Sequence, residues 1–396
     1  MRRRGGKRLR IDGKIVHISG SASDRTESML IEYGHELIRS LVNKFLRKGA
    51  RFLIQVGKED HKIMNGSNVP LIFDWTVMSE INSYIIENGL DFKNCSRKPI
   101  ITVAKQDFMN SIPPIRLDLW RSLMEMEALQ IEFLEEGWSS GAIRRIRMSE
   151  LGDILIIVSG GEGVEHLAEE YNRRFKPIIP LDLELGSSKE DGSGGGSKLF
   201  KKMLAKCDSF ISLEKPASAG GLFLNIKTDN GVRSIEEVTE GITKLIDNIT
   251  PPIAFYARLL STVEAEYMEV ENFFREVVDP LMKENGYSIK EMGIQRSDDA
   301  WMNVEIFESL HKAAIIVVDL TGLRPNCFIE LGYALGRPSK VILTAKKGTI
   351  LPFDTKMYEC CFWDPEKPRE LTAKKLKDYF ERNFNRPPVV RIKDAL

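Results

Sequence analysis

The chain has 396 residues, and its 57 lysines and arginines balance 57 aspartates and glutamates. Hydrophobic residues make up 42% of the chain and charged residues 29%, which is typical of a folded protein of two or three domains and excludes wholesale disorder. Because the net charge is zero, composition gives no reason to expect nucleic acid as a partner. The longest apolar runs, such as Ile154–Val158 and Ile315–Val318, are far shorter than the ~20 residues of a membrane span, so we expect buried strands and no membrane contact.

Residues 1–12 are basic, and no apolar stretch follows before His17, so we expect a flexible solvated tail rather than a secretory leader. A weak contact of this tail with phosphate or nucleic acid is the alternative interpretation. The five cysteines fit no zinc pattern, adjacent Cys360–Cys361 rarely form a disulfide, and the scattered histidines offer no metal spacing. We therefore expect a cytoplasmic protein with no metal site.

The first half of the chain alternates predicted strands and helices. Apolar, β-branched runs predict strands, and Leu37, Leu41 and Phe45 recur at the spacing of an amphipathic helix. A low-complexity loop over 186–197 precedes a helix expected near Lys198, with Ser197 as its N-cap. The predicted strands cover 14–21, 50–56, 99–104, 152–158 and 176–183. Three predicted helices cover 27–48, 117–136 and 225–248, and two further predicted helices end at residues 90 and 174.

Thr250-Pro-Pro252 interrupts this pattern and predicts a domain boundary, so that domains are expected over 13–250 and 251–396. The second half repeats the alternation, with predicted strands over 253–260, 288–293, 313–319 and 340–344 and helices over 264–285, 298–311 and 326–336. Strands separated by helices predict an α/β fold with two Rossmann-like open parallel sheets in tandem. Such sheets bind ligands at the carboxyl ends of their strands.

Two predicted strands of the first half end in small residues, Ser19-Gly-Ser21 and Gly160-Gly-Glu-Gly163. Small residues before a helix let backbone N–H groups approach a phosphate, and the helix dipole favours the anion. Glycine also serves merely to relieve steric crowding, and the Gly/Ser run over 186–197 is equally typical of a connector. Together the three segments favour a nucleotide-sized anion as the ligand.

Five segments of the first half form a recognisable set: His17-Ile-Ser-Gly-Ser21, Gln55-Val-Gly-Lys58, Phe73-Asp-Trp-Thr76, Gly160-Gly-Glu-Gly-Val-Glu-His166 and Pro180-Leu-Asp-Leu-Glu-Leu-Gly-Ser-Ser188. They resemble the SLOG superfamily, which includes the cytokinin-activating LOG phosphoribohydrolases and nucleotide-sensing domains attached to sirtuin or TIR effectors. The resemblance implies a Rossmann-like domain that binds a nucleotide or an ADP-ribose derivative as its signal. The residues expected to line the signal site are Ser19, Gly20, Ser21, Gly160, Gly161, Gly163, Glu165 and Ser197.

One departure from the LOG pattern bears on activity. LOG enzymes carry Pro-Gly-Gly-x-Gly-Thr-x-x-Glu, whereas this chain has Ser159 for the proline, Val164 for the threonine and Leu167 where that glutamate stands. Glu165 and Glu169 are out of register, because a shift of one residue on a helix rotates the side chain by ~100°. The first half is therefore expected to sense a nucleotide rather than to hydrolyse it.

In the second half, a buried strand ends in Asp319, and Glu330 follows among apolar neighbours on the next helix. A carboxylate at a strand end lies where these sheets bind ligands, and apolar surroundings raise the pKa of a carboxyl group. The alternative is that Asp319 caps the loop and Glu330 is a solvated helix residue.

The segments 314–322 and 325–334 are similar to nucleoside 2-deoxyribosyltransferase-like domains and to the TIR-like domains close to them. The resemblance implies that Glu330 attacks, or stabilises positive charge at, the anomeric carbon of an N-glycoside, and that Asp319 helps to hold the base or ribose. No cofactor is required, and NAD or a related nucleotide is the expected substrate or ligand. Further residues expected to bind the substrate are Phe255, Tyr256, Arg258, Asp298, Asp299 and Asn326.

The pairing of two nucleotide pockets in one chain resembles bacterial antiviral-defence effectors. The first interpretation is therefore an effector whose first domain senses a nucleotide and whose second domain cleaves an N-glycosidic bond. The alternatives are a deoxyribosyltransferase or hydrolase acting on free nucleosides, and a non-catalytic regulator of a partner toxin. Effectors of this kind commonly assemble, so a homo-oligomer is expected.

Overall fold

The structure is a computed structural model, and it describes residues 11–64, 67–95, 97–105, 108–134, 140–186, 195–291, 302–337 and 340–384. The chain divides into two compact units, Met1–Thr250 (unit 1) and Pro251–Leu396 (unit 2). Most of the predicted basic tail lies outside the described residues. Among the helices that the structure describes, none is both long enough and apolar enough to cross a membrane.

Unit 1 is built around a parallel sheet with helices on both faces. Its strands are β1 (Ile15–Ser21), β2 (Arg51–Ile54), β3 (His61–Met64), β4 (Ser67–Pro70), β5 (Ile100–Lys105), β6 (Leu129–Leu134), β7 (Ile154–Ser159) and β8 (Ile178–Pro180). Its helices are α1 (Ser28–Leu46), α2 (Asp74–Glu87), α3 (Leu117–Glu125), α4 (Ser140–Leu151), α5 (Glu162–Asn172), α6 (Gly195–Ala205), α7 (Ala219–Asn225) and α8 (Ile235–Asp247).

The sheet of unit 1 has the strand order β6-β5-β2-β1-β7-β8, and every neighbouring pair is parallel. Leu37, Leu41 and Phe45 lie on the predicted apolar stripe of α1 and are fully buried in the core on one face. A smaller cluster that includes Leu167 and Tyr171 of α5 covers the other face. Because both faces are covered, the central strands are continuously apolar, as the sequence predicted.

Several segments of unit 1 differ from the sequence prediction. Residues 226–234, predicted as helix, lie between α7 and α8, and helix α4 was not predicted. The polar stretch before α2 contains an antiparallel hairpin, β3 with β4. The helix predicted over 117–136 ends at Glu125, and Glu127 follows with a φ of 49°, after which the chain forms edge strand β6. An αL residue stops a helix, and the residues of β6 alternate between the two faces of the sheet instead of continuing the helical spacing.

Unit 2 contains a second parallel sheet, of order β10-β9-β11-β12-β13. Its strands are β9 (Ile253–Ala257), β10 (Ser288–Glu291), β11 (Ile315–Asp319), β12 (Lys340–Lys346) and β13 (Cys360–Trp363). Its helices are α9 (Tyr267–Phe273), which continues through a π-helical turn (Phe274–Val278) into α10 (Asp279–Glu284), and α11 (Met302–Lys312), α12 (Pro325–Leu335) and α13 (Arg369–Phe384). The predicted fold class is confirmed: the chain is α/β, with two Rossmann-like open parallel sheets in tandem.

Candidate functional site

Each sheet has a switch point, at which successive strands begin to be added on the other side. In unit 1 this point lies between β1 and β7, and in unit 2 it lies between β9 and β11. A crevice forms beyond the carboxyl ends of the two strands at such a point, because their connections leave in opposite directions. One candidate site therefore lies in unit 1, at Ser19–Ser21 and Ser159–Gly161. The other lies in unit 2, at Arg258 and Asp319.

Backbone segments approach one another very closely at the switch point of unit 1. A Cβ added at Gly20 would lie 1.8 Å from the carbonyl oxygen of Val158, and one added at Gly195 would lie 1.8 Å from that of Gly160. Gly160 and Gly195 also have φ values of +84° and +57°, in the left-handed region that favours glycine. Packing alone thus requires three of these glycines, and their contact with a nucleotide remains a prediction.

The hydrogen-bond donors of this crevice are partly used within the chain. The N–H of Gly160 donates to the carbonyl of Ser21 at 3.1 Å. Oε1 of Glu165 accepts from the N–H of Gly195 at 3.0 Å, and its Oε2 accepts from Nζ of Lys198 at 2.6 Å. Burial of Glu165 opposes ionisation, but these hydrogen bonds outweigh it and lower the pKa of the carboxyl group.

One prediction for unit 1 needs correction. Ser197 is not an N-cap: α6 begins at Gly195, and the buried Ser197 hydroxyl donates to Oε1 of Glu184 at 3.2 Å. Glu165 binds the start of α6, and its contact with a nucleotide stays a prediction. Gly161 does begin α5, as its N-cap in an extended conformation, and Gly163 is exposed in the first turn.

Sequence reasoning missed the arginines of α4, because that helix was not predicted. Nε of Arg145 donates to Nδ1 of His166 at 2.8 Å, and Nη1 of Arg145 would lie 3.7 Å from a Cβ added at Gly163. Arg144 interacts electrostatically with the buried Asp74, whose pKa burial raises to about 6. The adjacent pair Arg144-Arg145 was the available signal for cations near the start of α5.

At the switch point of unit 2, Asp319 is fully buried and its carboxylate is held from three directions. Its Oδ1 accepts from the backbone N–H of Thr321 at 3.0 Å. Its Oδ2 accepts from the Thr344 hydroxyl at 2.7 Å and from Nε1 of Trp363 at 2.9 Å. Burial raises the pKa of Asp319, and the three hydrogen bonds oppose that rise. With 0% exposure, Asp319 offers no surface to a ligand in this conformation, and its part in holding the base or ribose stays a prediction.

Glu330 lies in the middle of α12 and is half-buried. Burial raises its pKa to about 7. Within the part of the chain that the structure describes, no ion pair or hydrogen bond compensates its charge. The neighbouring Cys327 is buried, and burial together with the Glu330 carboxylate raises the pKa of its thiol to about 12. Burial thus brings the pKa of the Glu330 carboxyl group near neutrality, which is what acid–base or nucleophilic chemistry at neutral pH requires.

The other predicted substrate residues of unit 2 are less favourably placed. Phe255 and Tyr256 are 1% and 2% exposed, on opposite faces of β9 in the two core clusters, so neither side chain is accessible to a substrate in this conformation, and their predicted binding role stays a prediction. Both faces of this central strand are covered, which buries each alternate side chain. Asn326 is exposed at the start of α12. Asp298 and Asp299 lie outside the described residues.

Arg258 follows β9 directly, and its side chain is 4% exposed. Its Nη1 lies 2.8 Å from Oε2 of Glu271, and its guanidinium lies 5.0 Å from the ring centroid of Phe274. It thus stands at the predicted edge of the sheet but is engaged by α9 and the π-helical turn. Among the described residues, no group of three or more His, Cys, Asp or Glu side chains is arranged to hold a metal ion.

Residues 11–246 match the model of the family described as "ATP nucleosidase Cap17-like, N-terminal". The chain belongs to this Cap17-like family. That model covers more than half of the chain, and by its description it represents the N-terminal part of those proteins. The description alone therefore does not assign the nucleosidase activity to unit 1.

Two curated relatives, both called ATP nucleosidase Cap17, from Escherichia coli (strain KTE188) and from Escherichia coli, are each 23% identical over 353 residues. Each alignment covers 84% of this chain, more than unit 1 can supply with 250 of 396 residues, and 66% of the relative. The chain thus spans just under two thirds of their length. A solved α,α-trehalose-phosphate synthase from Burkholderia vietnamiensis matches 94% of this chain and 92% of its own at 9% identity, but the TM-score of 0.21 supports no argument.

Proposed function

We propose that the protein is a nucleotide N-glycosidase and that Glu330 is its catalytic carboxylate. The observation that carries this proposal is the environment of Glu330: it is half-buried, it has no compensating cation among the described residues, and its pKa is raised to about 7. It stands on the helix that follows β11, one of the two strands at the switch point. A ligand in the crevice beyond β9 and β11 would present its ribose to this helix.

A single carboxylate can support the cleavage of an N-glycosidic bond. When the bond between C1′ and the base nitrogen breaks, its electron pair leaves with the base, and positive charge develops at C1′ and the ring oxygen. The ionised Glu330 stabilises or traps that charge. Water then adds its hydroxyl to C1′. With an adenine nucleotide the remaining proton goes to the base, and with NAD, from which nicotinamide leaves as a neutral molecule, it goes to solvent, so that the products are the free base and a phosphorylated ribose.

The names of the relatives favour ATP as the first substrate to test, with NAD as the second. Their alignments extend beyond unit 1, so a shared activity in unit 2 is consistent with the comparison. The proposed biological role is that of an antiviral-defence effector that depletes a cellular nucleotide.

Unit 1 is proposed to sense a nucleotide of the ADP-ribose type at the ends of β1 and β7. Support comes from the switch point, from Gly161 at the start of α5, and from the loss of the LOG glutamate at Leu167. For the signal to control unit 2, it must favour one state of a homo-oligomer over another. Gly161→Arg would block the approach of a phosphate, and base release would then no longer respond to ADP-ribose.

The test of the N-glycosidase proposal is base release from ATP, NAD and deoxyadenosine, followed by chromatography. Wild-type protein is expected to release adenine or nicotinamide, and Glu330→Gln is expected to be at least ~10²-fold slower. Glu381→Gln, at an exposed glutamate of α13, is the matched control and should behave as wild type. Base exchange between nucleosides would instead support a transferase, and equal rates for Glu330→Gln and wild type would exclude Glu330 from catalysis.

A further inference from the structure

Three cations stand at the carboxyl ends of three neighbouring strands of unit 2. Arg258 follows β9, Arg324 lies in the turn between β11 and α12, and Lys346 is the last residue of β12. These strands are adjacent in the order β9-β11-β12, so the cations span two inter-strand spacings, or about 10 Å. The backbone N–H of Lys346 also donates to the hydroxyl of Thr321, at 2.8 Å, which fixes it beside the turn after β11.

Each of these cations meets a carboxylate from one short stretch of chain, residues 264–271, which we call the acidic segment. It comprises the end of the loop after β9 and the first part of α9. Glu264 pairs with Arg324, and Glu269 pairs with Lys346. The third pair is that of Arg258 with Glu271, described above.

A fourth carboxylate of the segment lies close to the same turn. Oε2 of Glu266 would be 4.0 Å from a Cβ added at Gly322, whose φ is +74°. The acidic segment therefore covers the carboxyl ends of β9, β11 and β12 with side chains of one sign. The packing of the hydrophobic core does not require this alignment of opposite charges.

Two of the three pairs are suited to exchange. The side chains of Arg324 and Glu264 are 33% and 32% exposed, and those of Lys346 and Glu269 are 29% and 39% exposed. Ion pairs with this exposure contribute little to stability, so a competing anion can replace these two carboxylates at small cost. Phosphate is such an anion, because it carries more charge than a carboxylate and accepts paired hydrogen bonds from a guanidinium.

We infer that Arg324 and Lys346 bind the phosphates of a nucleoside polyphosphate, and that the acidic segment is a lid whose carboxylates Glu264 and Glu269 those phosphates displace. The buried Arg258–Glu271 pair holds the C-terminal end of the segment in place. The inference rests on the proposed function for the position of the ribose beside Glu330, and it deepens that function by assigning the residues that hold the phosphates and the segment that those phosphates displace. The lid makes unit 2 select nucleotides with several phosphates over nucleosides. A nucleoside has no group that offsets the loss of the two exchangeable ion pairs.

The test is a binding titration of the full chain with ATP, adenosine and inorganic triphosphate, in a Glu330→Gln background so that ATP is not consumed. Arg324→Gln and Lys346→Gln are each expected to weaken the binding of ATP and of triphosphate about tenfold and to leave adenosine unchanged. Glu264→Gln combined with Glu269→Gln is expected to strengthen ATP binding. If the ion pairs served only to stabilise the fold, removal of the cation and removal of the carboxylate would change ATP binding in the same direction.

Lys347→Gln is the matched control. Lys347 is the next residue, and its Nζ lies 2.9 Å from Oδ2 of Asp364, outside the acidic segment, so ATP binding should not change. Thermal unfolding of every variant identifies losses that come from folding, and the carboxylate variants keep the test decisive if a cation variant does not fold. The inference is overturned if cation and carboxylate variants shift ATP binding in the same direction, if adenosine shifts as much as ATP, or if no ATP binding responds to them. Because binding is measured without turnover, it stands or falls separately from the role of Glu330.

Discussion

The indole N–H of Trp363 donates to Oδ2 of Asp319 at 2.9 Å, across the strand that separates β11 from β13. The Trp363 ring is also stacked on Phe273, with centroids 4.6 Å apart and planes at 8°. The side chain at the end of the edge strand thus joins the carboxylate at the switch point to the start of the π-helical turn. Asp319 therefore connects β11 with Thr344 of β12 and Trp363 of β13 through its Oδ2.

Removal of one donor to Asp319 should destabilise unit 2. Thr344→Val keeps the shape of the side chain but leaves the buried Oδ2 with Trp363 as its remaining described donor, and the expected loss is about 1–3 kcal/mol. Calorimetric unfolding of the full chain measures it as a lower Tm for unit 2. Thr262→Val, at an exposed position, is the control. An unchanged Tm for Thr344→Val would mean that Asp319 does not organise this edge.

The pH dependence of base release should report the ionisation of Glu330. Burial raises its pKa to about 7, and the proposed mechanism needs the ionised form. The value of kcat/KM is therefore expected to rise with pH and to level off above an apparent pKa near 7. Initial rates between pH 5.5 and 8.5 measure this. A rate that falls across the same range would indicate that the protonated carboxyl group is the active form.

The parallel architecture was predictable because the central strands are continuous β-branched runs closed by glycine or a polar turn. The edge strands were not predictable in the same way. β6 is only partly buried, and β13 has four residues, so neither shows a long apolar run. Their places follow from the order of strands in the sheet, which a local sequence pattern does not contain.

The sequence points to Glu330 as a candidate because the motif around it is compact and lies within one helix. It did not identify the ion pairs of the acidic segment, because these join positions far apart in the chain: Glu269 and Lys346 are separated by 77 residues. It placed Phe255 and Tyr256 at the pocket because they precede the end of a strand, whereas the layers on both sides of β9 bury them. The layers that pack on a strand decide whether a residue near its end is accessible, and the local sequence does not show those layers.

Ionisation of the buried Glu330 should make the stability of unit 2 depend on pH. A carboxyl group whose folded pKa is raised binds its proton more tightly in the folded state, so the folded protein loses stability as pH rises from the unfolded pKa of about 4.5 through the folded pKa of about 7. Glu330→Gln removes that loss. It should therefore raise the Tm of unit 2 at pH 8 and leave it nearly unchanged at pH 4, where the wild-type group is largely protonated in both the folded and the unfolded state. Glu381→Gln should show no such dependence.

Substitutions at two glycines of unit 1 should distinguish a glycine that packing requires from one that is free to contact a ligand. A Cβ at Gly20 would collide with the backbone of Val158, so Gly20→Ala is expected to destabilise unit 1 by about 3 kcal/mol. At Gly163 the nearest atom to an added Cβ is 3.7 Å away, and alanine favours the helix, so Gly163→Ala should stabilise unit 1 by up to ~1 kcal/mol. Calorimetric unfolding measures both changes.

The same Gly163→Ala variant tests the proposed nucleotide site at the start of α5. If phosphate approaches the backbone there, the added methyl group should weaken the binding of ADP-ribose about tenfold, even though the protein becomes more stable. Equilibrium titration of the full chain with ADP-ribose measures this, and Gly221→Ala, on α7 with open space around it, is the control. Unaltered binding in a stabilised Gly163→Ala protein would show that the ligand does not contact this turn, because a loss of folding could not hide the effect.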